Sequence, residues 1–262
     1  MSDIKVYALA DGPGAVLVGV HGAGGMLFFG KLARNLREDQ SFYLVQAEGL
    51  DKVGGTCAYH AIKELCSAYA TEIRKIAGEK TVYLCGRYSP VAIETGRELA
   101  KAGVDVASLI IFDSAAPLYS EPRFGNGLFT RLVVGPVRWL LKVPPNIGLM
   151  DWLRGKAHEK VQPDPGTNTI SGINRRLLTD YRVRRYAGRV VLLRSQAFTD
   201  RPGKTEKHLG TWRKITDHLE VLTVPGGHGS MFNPPNVATL GKVVQAIVDN
   251  GDPRASQVTD TQ

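Results

Sequence analysis

The segment Gly86-Arg87-Tyr88-Ser89-Pro90 contains the residues with the clearest potential for chemistry. A nucleophile elbow reads Gly-x-Ser-x-Gly and holds a serine in a sharp turn between a strand and a helix. An apolar strand is predicted over Thr81–Cys85 and a helix over Val91–Ala102, so the context is that of an elbow. The turn itself departs from the pattern, because a tyrosine stands at the serine position, followed by a serine and then a proline.

Two residues of this turn are candidate catalytic groups, and the sequence leaves both open. If Ser89 attacks, the usual oxyanion donor would be the N–H of Pro90, which proline lacks. Losing one such donor costs ~10²–10³ in rate. Counting forward from Gly86 instead places Tyr88 at the elbow, where a phenol suits proton transfer better than acyl transfer. A third interpretation makes Ser89 and Pro90 only the N-cap and first turn of the helix.

Composition restricts the classes of protein that this chain can represent. With 262 residues it suits one α/β domain, and its net charge of +8 is compatible with nucleic acid, an anionic surface or acidic partners such as carrier domains. No nucleic-acid-binding pattern accompanies the charge, and a solvated helix face is the favoured interpretation of its densest cluster, between Arg175 and Arg189. The cysteines are few and odd in number, so they predict neither a disulfide framework nor a metal site. No signal peptide precedes the first elements, and no apolar run reaches the ~18 residues of a membrane span. A cytoplasmic protein is expected.

Strand patterns alternate with helix patterns along most of the chain, which predicts a mostly parallel sheet with helices on both faces. The predicted strands are Ala15–Val20, Phe42–Gln46, Thr81–Cys85, Val106–Phe112, Arg189–Ser195 and Leu219–Val224. The predicted helices are Met26–Leu36, Ala61–Ala77, Val91–Ala102 and Val237–Val248.

The alternation stops between Ala115 and Tyr186. That stretch contains proline-rich and glycine-rich pieces, Val143–Pro145 and Pro163–Gly166, and an apolar and basic segment, Leu128–Trp152. This segment is either a packed subdomain core or a mobile lid over an acyl-sized channel, and its position directly after a candidate site residue favours the lid. We therefore predict a single domain over residues 1–250 with a lid insertion at about 115–186. Residues 251–262 are a polar tail that we expect to be disordered.

The chain resembles the thioesterase domains of nonribosomal peptide and polyketide synthases, which are α/β-hydrolases. The similarity covers most of the chain, and several segments in the same order carry it: Val20–Gly25, Leu32–Leu36, Tyr43–Asp51, Tyr83–Gly86, Val91–Leu99, Phe112–Ser114, Tyr186–Val190 and Val224–Met231.

The resemblance implies a set of site residues. His228, in a Gly-x-His-x-x-Met loop, matches the general base, and Asp113 matches the acid that orients it. Asp200 is the rival acid, since it follows a strand after which many α/β-hydrolases carry theirs. The backbone N–H of Ala23 or Gly24 matches the remaining oxyanion donor.

The resemblance also implies a function, namely a free-standing thioesterase that hydrolyses or releases acyl or peptidyl chains. The expected partner is an acyl or peptidyl carrier protein that presents the substrate on phosphopantetheine, and no metal or redox cofactor is predicted. Because the elbow is altered, two alternatives stay open. One is a cyclase, isomerase or lyase that uses the His–Asp pair with Tyr88. The other is a catalytically silent relative that binds carriers or acyl chains.

Overall fold

The computed structural model describes residues 4–20, 26–47, 57–117, 173, 177–178, 181–199 and 202–251. By its internal contacts the chain divides into two compact units, residues 1–119 with 168–262, and residues 120–167. The second unit, most of the predicted lid at 115–186 and all but the first residue of the predicted tail lie outside the described residues. The lid and the disordered tail therefore stay predictions.

Seven strands form one sheet in the order β1-β3-β2-β4-β5-β6-β7. Only β1 is antiparallel to its neighbour, and all the other strand pairs are parallel. The predicted mostly parallel sheet is thus confirmed. In chain order, the strands are β1 (Ile4–Ala10), β2 (Val16–Val20), β3 (Ser41–Ala47), β4 (Val82–Gly86), β5 (Val106–Phe112), β6 (Val190–Ser195) and β7 (Leu219–Val224).

Strand β1 is an edge strand that the sequence prediction lacks. Its middle residues alternate in burial: Val6, which is 40% exposed, and Ala8 face solvent, whereas Tyr7 and Leu9 pack against the core. Such alternation is typical of a strand with one face on the core and one in solvent. The inner strands read instead as continuous apolar runs, because both of their faces are buried.

Four of the six described helices were predicted, and two of these four differ from the prediction by more than one residue: the first ends at Ala33 rather than Leu36, and the third begins at Ser89 rather than Val91. The helices Gln196–Thr199 and Pro202–Ile215 were not predicted. The helices are α1 (Met26–Ala33), α2 (Ile62–Ala77), α3 (Ser89–Lys101), the single turn α4 (Gln196–Thr199), α5 (Pro202–Ile215) and α6 (Asn236–Asp249). A 3₁₀ turn, Ser230–Phe232, precedes α6.

Two apolar layers cover the two faces of the sheet. Helices α2 and α3, with Trp212 of α5, pack on one face. Helices α1 and α6 pack on the other, where Phe112 of β5 meets Phe232 at 5.2 Å between ring centroids. Because both faces are covered, the sheet holds the ends of its strands rigidly, and these ends position the candidate site.

The described part of the chain contains no helix that is long and apolar enough to cross a membrane. The three cysteines, Cys57, Cys66 and Cys85, are buried and are not joined in disulfides.

Candidate active site

The carboxyl ends of three neighbouring strands bring the predicted base and acid together. Asp113 directly follows β5, Ser195 is the last residue of β6, and His228 lies in the loop after β7. Ligands of open α/β sheets bind at this edge, outside the carboxyl ends of the strands. The edge is therefore the candidate active site.

His228 and Asp113 form a hydrogen-bonded pair. The His228 Nδ1 atom lies 3.1 Å from Asp113 Oδ2 and 3.2 Å from the Asp113 carbonyl oxygen. Both partners are acceptors, so we assign the imidazole proton to Nδ1, which leaves Nε2 as a proton acceptor. The Asp113 side chain is 3% exposed and that of His228 is 61% exposed. A buried acid thus orients an accessible base, as in acid–base catalysis by a triad.

Two further hydrogen bonds fix the Asp113 carboxylate. The Ser195 backbone N–H donates to Oδ1 at 3.1 Å, and the Ser195 hydroxyl donates to Oδ2 at 2.9 Å. Burial alone would raise the pKa of Asp113, but the hydrogen bonds from His228 and Ser195 outweigh it and hold that pKa below its ordinary value. The carboxylate therefore stays ionised and correctly turned toward the imidazole.

The backbone at Asp113 is strained. Among the described residues other than glycine, it alone has a positive φ, at 45°. Aspartate tolerates this left-handed region better than most residues, and such strain is concentrated at functional sites. The Asp113 N–H still donates to the Leu193 carbonyl at 2.7 Å, so the β5–β6 ladder holds the turn in place.

Arg194 lies behind the carboxylate and was not predicted as a site residue. Its Nη1 is 3.8 Å from Asp113 Oδ1, its side chain is 2% exposed, and its guanidinium stacks on Phe198 at 3.8 Å from the ring centroid. No described residue hydrogen-bonds with its Nε, Nη1 or Nη2. Burial lowers the pKa of Arg194, and the charge of Asp113 opposes that shift. The signal in the sequence was a single arginine inside the otherwise apolar run of β6.

The Ser89 hydroxyl forms hydrogen bonds with residues other than His228 and Asp113. It donates to the Ala115 carbonyl at 2.8 Å and accepts from Ser114 Oγ at 3.1 Å. The residue is 1% exposed and is the first residue of α3, with Pro90 next in the first turn. No hydrogen bond joins Ser89 to His228 in the described part of the chain. Its role as nucleophile stays a prediction.

Tyr88 is the N-cap residue of α3, a position that the third interpretation of the sequence gave to Ser89. Its backbone is extended, with φ −110° and ψ 91°, so the turn is not the strained elbow of the Gly-x-Ser-x-Gly pattern. The side chain is partly buried against the core layer of α2 and α3. This burial raises the pKa of Tyr88 to about 12, so its phenol is protonated at neutral pH.

Arg87 points to the other side of the same turn. Its Nη2 donates to the His228 carbonyl at 2.9 Å. The guanidinium carbon lies 4.4 Å from the centroid of Phe28 and 5.4 Å from that of Phe232. A cation thus contacts the histidine loop from the turn where a nucleophile elbow would be. The sequence prediction did not single it out, because it occupies the variable position of the motif.

Three predicted site residues lie outside the described residues: Ala23, Gly24 and Asp200. Arg194 and Ser195, at the end of β6, contact Asp113, and Asp200 as the rival acid stays a prediction. Within the described residues, no three His, Cys, Asp or Glu side chains are grouped so that they could hold a metal ion.

Comparison with known proteins supports this description at two levels. Residues 16–135 match the family model described as Thioesterase domain. That range contains Asp113 and the altered elbow and ends before His228. The resemblance to thioesterase domains is thereby confirmed over that part of the chain. A search of curated proteins gave no match.

Solved structures of similar fold include thioesterase domains. The Vlm2 thioesterase domain bound with a dodecadepsipeptide is 18% identical, with a TM-score of 0.61 over 93% of this chain and 98% of that one. The NocB thioesterase domain, in covalent complex with a fluorophosphonate nocardicin G analog, is 21% identical, with a TM-score of 0.62 over 93% and 99%.

A four-domain nonribosomal peptide synthetase, holo-AB3403 bound to AMP and glycine, is 20% identical, with a TM-score of 0.64 over 92% of this chain. This chain spans only 20% of that synthetase. At these identities the likenesses show the fold, which is the predicted α/β-hydrolase fold.

Proposed function

We propose that this protein is a thioesterase-type hydrolase in which His228 is the general base and Asp113 orients it. The observation that carries the proposal is the hydrogen bond of His228 Nδ1 to the buried Asp113 carboxylate, which turns Nε2 outward at an accessible edge of the sheet. The match of residues 16–135 to thioesterase domains supports the same reaction class.

Water is the attacking group in this proposal. His228 Nε2 takes a proton from water while the water oxygen forms a bond to the thioester carbonyl carbon. The tetrahedral intermediate then collapses, the carbon–sulfur bond breaks, and the imidazolium returns its proton to the departing thiolate. Asp113 stays ionised throughout and stabilises the imidazolium.

The contacts of Ser89 are the reason for assigning the attack to water. A serine nucleophile must share its proton with the base, which requires a hydrogen bond between the hydroxyl and the imidazole. The Ser89 hydroxyl instead donates to the Ala115 carbonyl, and Pro90 removes one oxyanion donor. Both features disfavour an acyl-enzyme on Ser89.

The proposed substrate is an acyl or peptidyl thioester on the phosphopantetheine of a carrier protein. The solved relatives bound with a depsipeptide or a nocardicin G analog support an acyl or peptidyl group. The net charge of +8 favours an acidic partner. A groove between α2 and α3 is lined by Arg74, Lys75 and Lys101 together with Glu98. Lys75 and Lys101 pair with Glu72 and Glu98, so the groove offers an acidic partner a surface with a net positive charge that is carried mainly by Arg74.

Hydrolysis of acyl-pantetheine thioesters, followed by release of the free thiol, tests the proposal. His228→Ala is expected to lower the rate by about 10²–10⁴, the usual contribution of a general base. His218→Ala is the matched control, because it removes an exposed histidine just before β7. Equal rates in wild type and His228→Ala would refute the proposed base, and no hydrolysis by folded wild type would refute the hydrolase.

Tyr88 supports a second candidate function, a proton-transfer reaction without hydrolysis. Because burial raises its pKa to about 12, the phenol stays protonated at neutral pH and can donate a hydrogen bond to a substrate oxygen while His228 acts as the base. This alternative predicts exchange of a substrate C–H proton for deuterium in heavy water with no release of thiol. The exchange should require both His228 and Tyr88. Carrier binding without either reaction would identify the silent relative.

A further inference from the structure

Counted over the residues that the structure describes, the candidate site carries one positive charge more than its carboxylate can balance. Arg87 and Arg194 both experience the field of Asp113, which is the one carboxylate that acts on either of them among the described residues. Arg194 lies against Asp113 at 3.8 Å, whereas Arg87 forms no ion pair within the described part of the chain. The excess charge is therefore on Arg87, at the accessible side of the site.

Arg87 is held in place rather than free in solvent. Its guanidinium stacks over Phe28, which itself packs against Phe232 with 5.4 Å between ring centroids. One Nη2 proton is used on the His228 carbonyl, and the buried Nε–H has no hydrogen-bond partner among the described residues. Burial lowers the pKa of Arg87, yet an arginine stays charged at neutral pH. The cost of this desolvated cation is recovered when an anion binds.

We infer that Arg87 makes this site selective for a substrate with an anionic oxygen group, and that this group is a carboxylate on the acyl chain. The inference rests on the proposed function for the identity of the rest of the substrate. Arg87 contacts the loop of the general base, so an anion bound to its free donors lies beside the reacting carbonyl rather than at a remote surface. A guanidinium matches a carboxylate in geometry as well as in charge.

A phosphate has the same chemistry and would come from the pantetheine arm instead of the acyl chain. Three ligands distinguish a carboxylate on the acyl chain from a phosphate on the pantetheine arm. In each of them an amide replaces the thioester, so that the enzyme does not hydrolyse it. These are butanoyl-pantetheine amide, which is neutral, succinyl-pantetheine amide, which adds a carboxylate, and butanoyl-4′-phosphopantetheine amide, which adds a phosphate. Their dissociation constants are measured by calorimetry with the full chain.

Wild type should bind the succinyl ligand about 10- to 100-fold more tightly than the butanoyl ligand, as expected for a charge-assisted hydrogen bond. Arg87→Met keeps the aliphatic stem and should lose that preference, while Arg87→Lys should keep part of it. Arg213→Met is the matched control on α5, since Arg213 is 62% exposed and pairs only with Glu206 among the described residues. Circular dichroism establishes that each variant is folded.

Three results would overturn the inference: no preference in wild type, an unchanged preference in Arg87→Met, or an Arg87-dependent preference for the phosphate ligand alone. If Arg87→Met does not fold, Arg87→Lys and Arg87→Gln carry the comparison. Because the ligands are amides, a carboxylate preference without any thioester hydrolysis would refute the proposed function and leave the anion site standing.

Discussion

Arg194 and Asp113 face each other at 3.8 Å with side chains that are 2% and 3% exposed. The guanidinium has no hydrogen bond to a described residue, so its nearest compensation is the charge of that one carboxylate. Two buried charges that depend on each other are costly to separate, because the partner left behind remains desolvated and unpaired. We therefore expect the effects of replacing Arg194 and Asp113 on the free energy of unfolding to be strongly non-additive.

The first prediction concerns that coupling. Asp113→Asn leaves the Arg194 charge buried and should lower the free energy of unfolding by about 3–5 kcal/mol. Arg194→Met should also be destabilising, because Asp113 then loses the cation behind it. The double variant removes both charges and should be more stable than the sum of the single changes predicts. Urea unfolding of the four proteins gives the coupling energy. Additive effects within about 0.5 kcal/mol would show that the two charges do not interact.

The second prediction compares the stability lost on removing two buried hydroxyl groups, one that forms a hydrogen bond and one that does not. Ser195→Ala removes the donor to Asp113 Oδ2 and should cost about 1.5–3 kcal/mol, the value of a hydrogen bond to a charged group. Ser108→Ala, on the neighbouring strand β5, removes a buried hydroxyl that has no partner among the described residues. It should be neutral or slightly stabilising. Equal losses in both variants would mean that general packing, not the bond to Asp113, is responsible.

The third prediction concerns how the free energy of unfolding changes with pH under acidic conditions. The folded pKa of Asp113 lies below its ordinary value of 3.8, so the unfolded chain takes up the proton first as the pH falls. The contribution of Asp113 to stability is therefore fully present above the unfolded pKa and is lost as the pH falls through the folded one. The difference in unfolding free energy between wild type and Asp113→Asn should be constant above about pH 5 and shrink below it. A difference that stays constant down to about pH 2.5 would contradict the lowered pKa.

Most of the fold could be predicted from the sequence, because parallel strands that are buried on both faces consist of uninterrupted apolar residues. Strand β5 was predicted with the bounds it has in the structure, Val106–Phe112. The misses have physical causes. Strand β1 is a half-exposed edge, and the opening Pro202-Gly203 of α5 reads as a turn although proline is acceptable in a first helical turn.

The candidate site could be predicted only for residues whose type and motif indicate a catalytic role. His228 and Asp113 were found by resemblance, and the geometry brings them within a hydrogen bond of each other. Arg194 and Ser195 were not, because their importance arises from the register of β6 beside β5, which places both at the Asp113 carboxylate. The arginine within the apolar run of β6 is visible in the sequence, but its contact with Asp113 belongs to the folded sheet and cannot be predicted from that run alone.

The last prediction decides the role of Ser89. Because its hydroxyl donates to the Ala115 carbonyl, a fluorophosphonate probe should give no stable adduct on wild type, as read by intact-protein mass. Ser89→Ala should retain thioester hydrolysis and lose about 1 kcal/mol of stability, the value of a neutral hydrogen bond. An adduct that appears on wild type and is absent from Ser89→Ala would instead establish a serine nucleophile. The turn would then have to rearrange to bring the hydroxyl to the His228 imidazole, and water would be confined to the second half of the reaction.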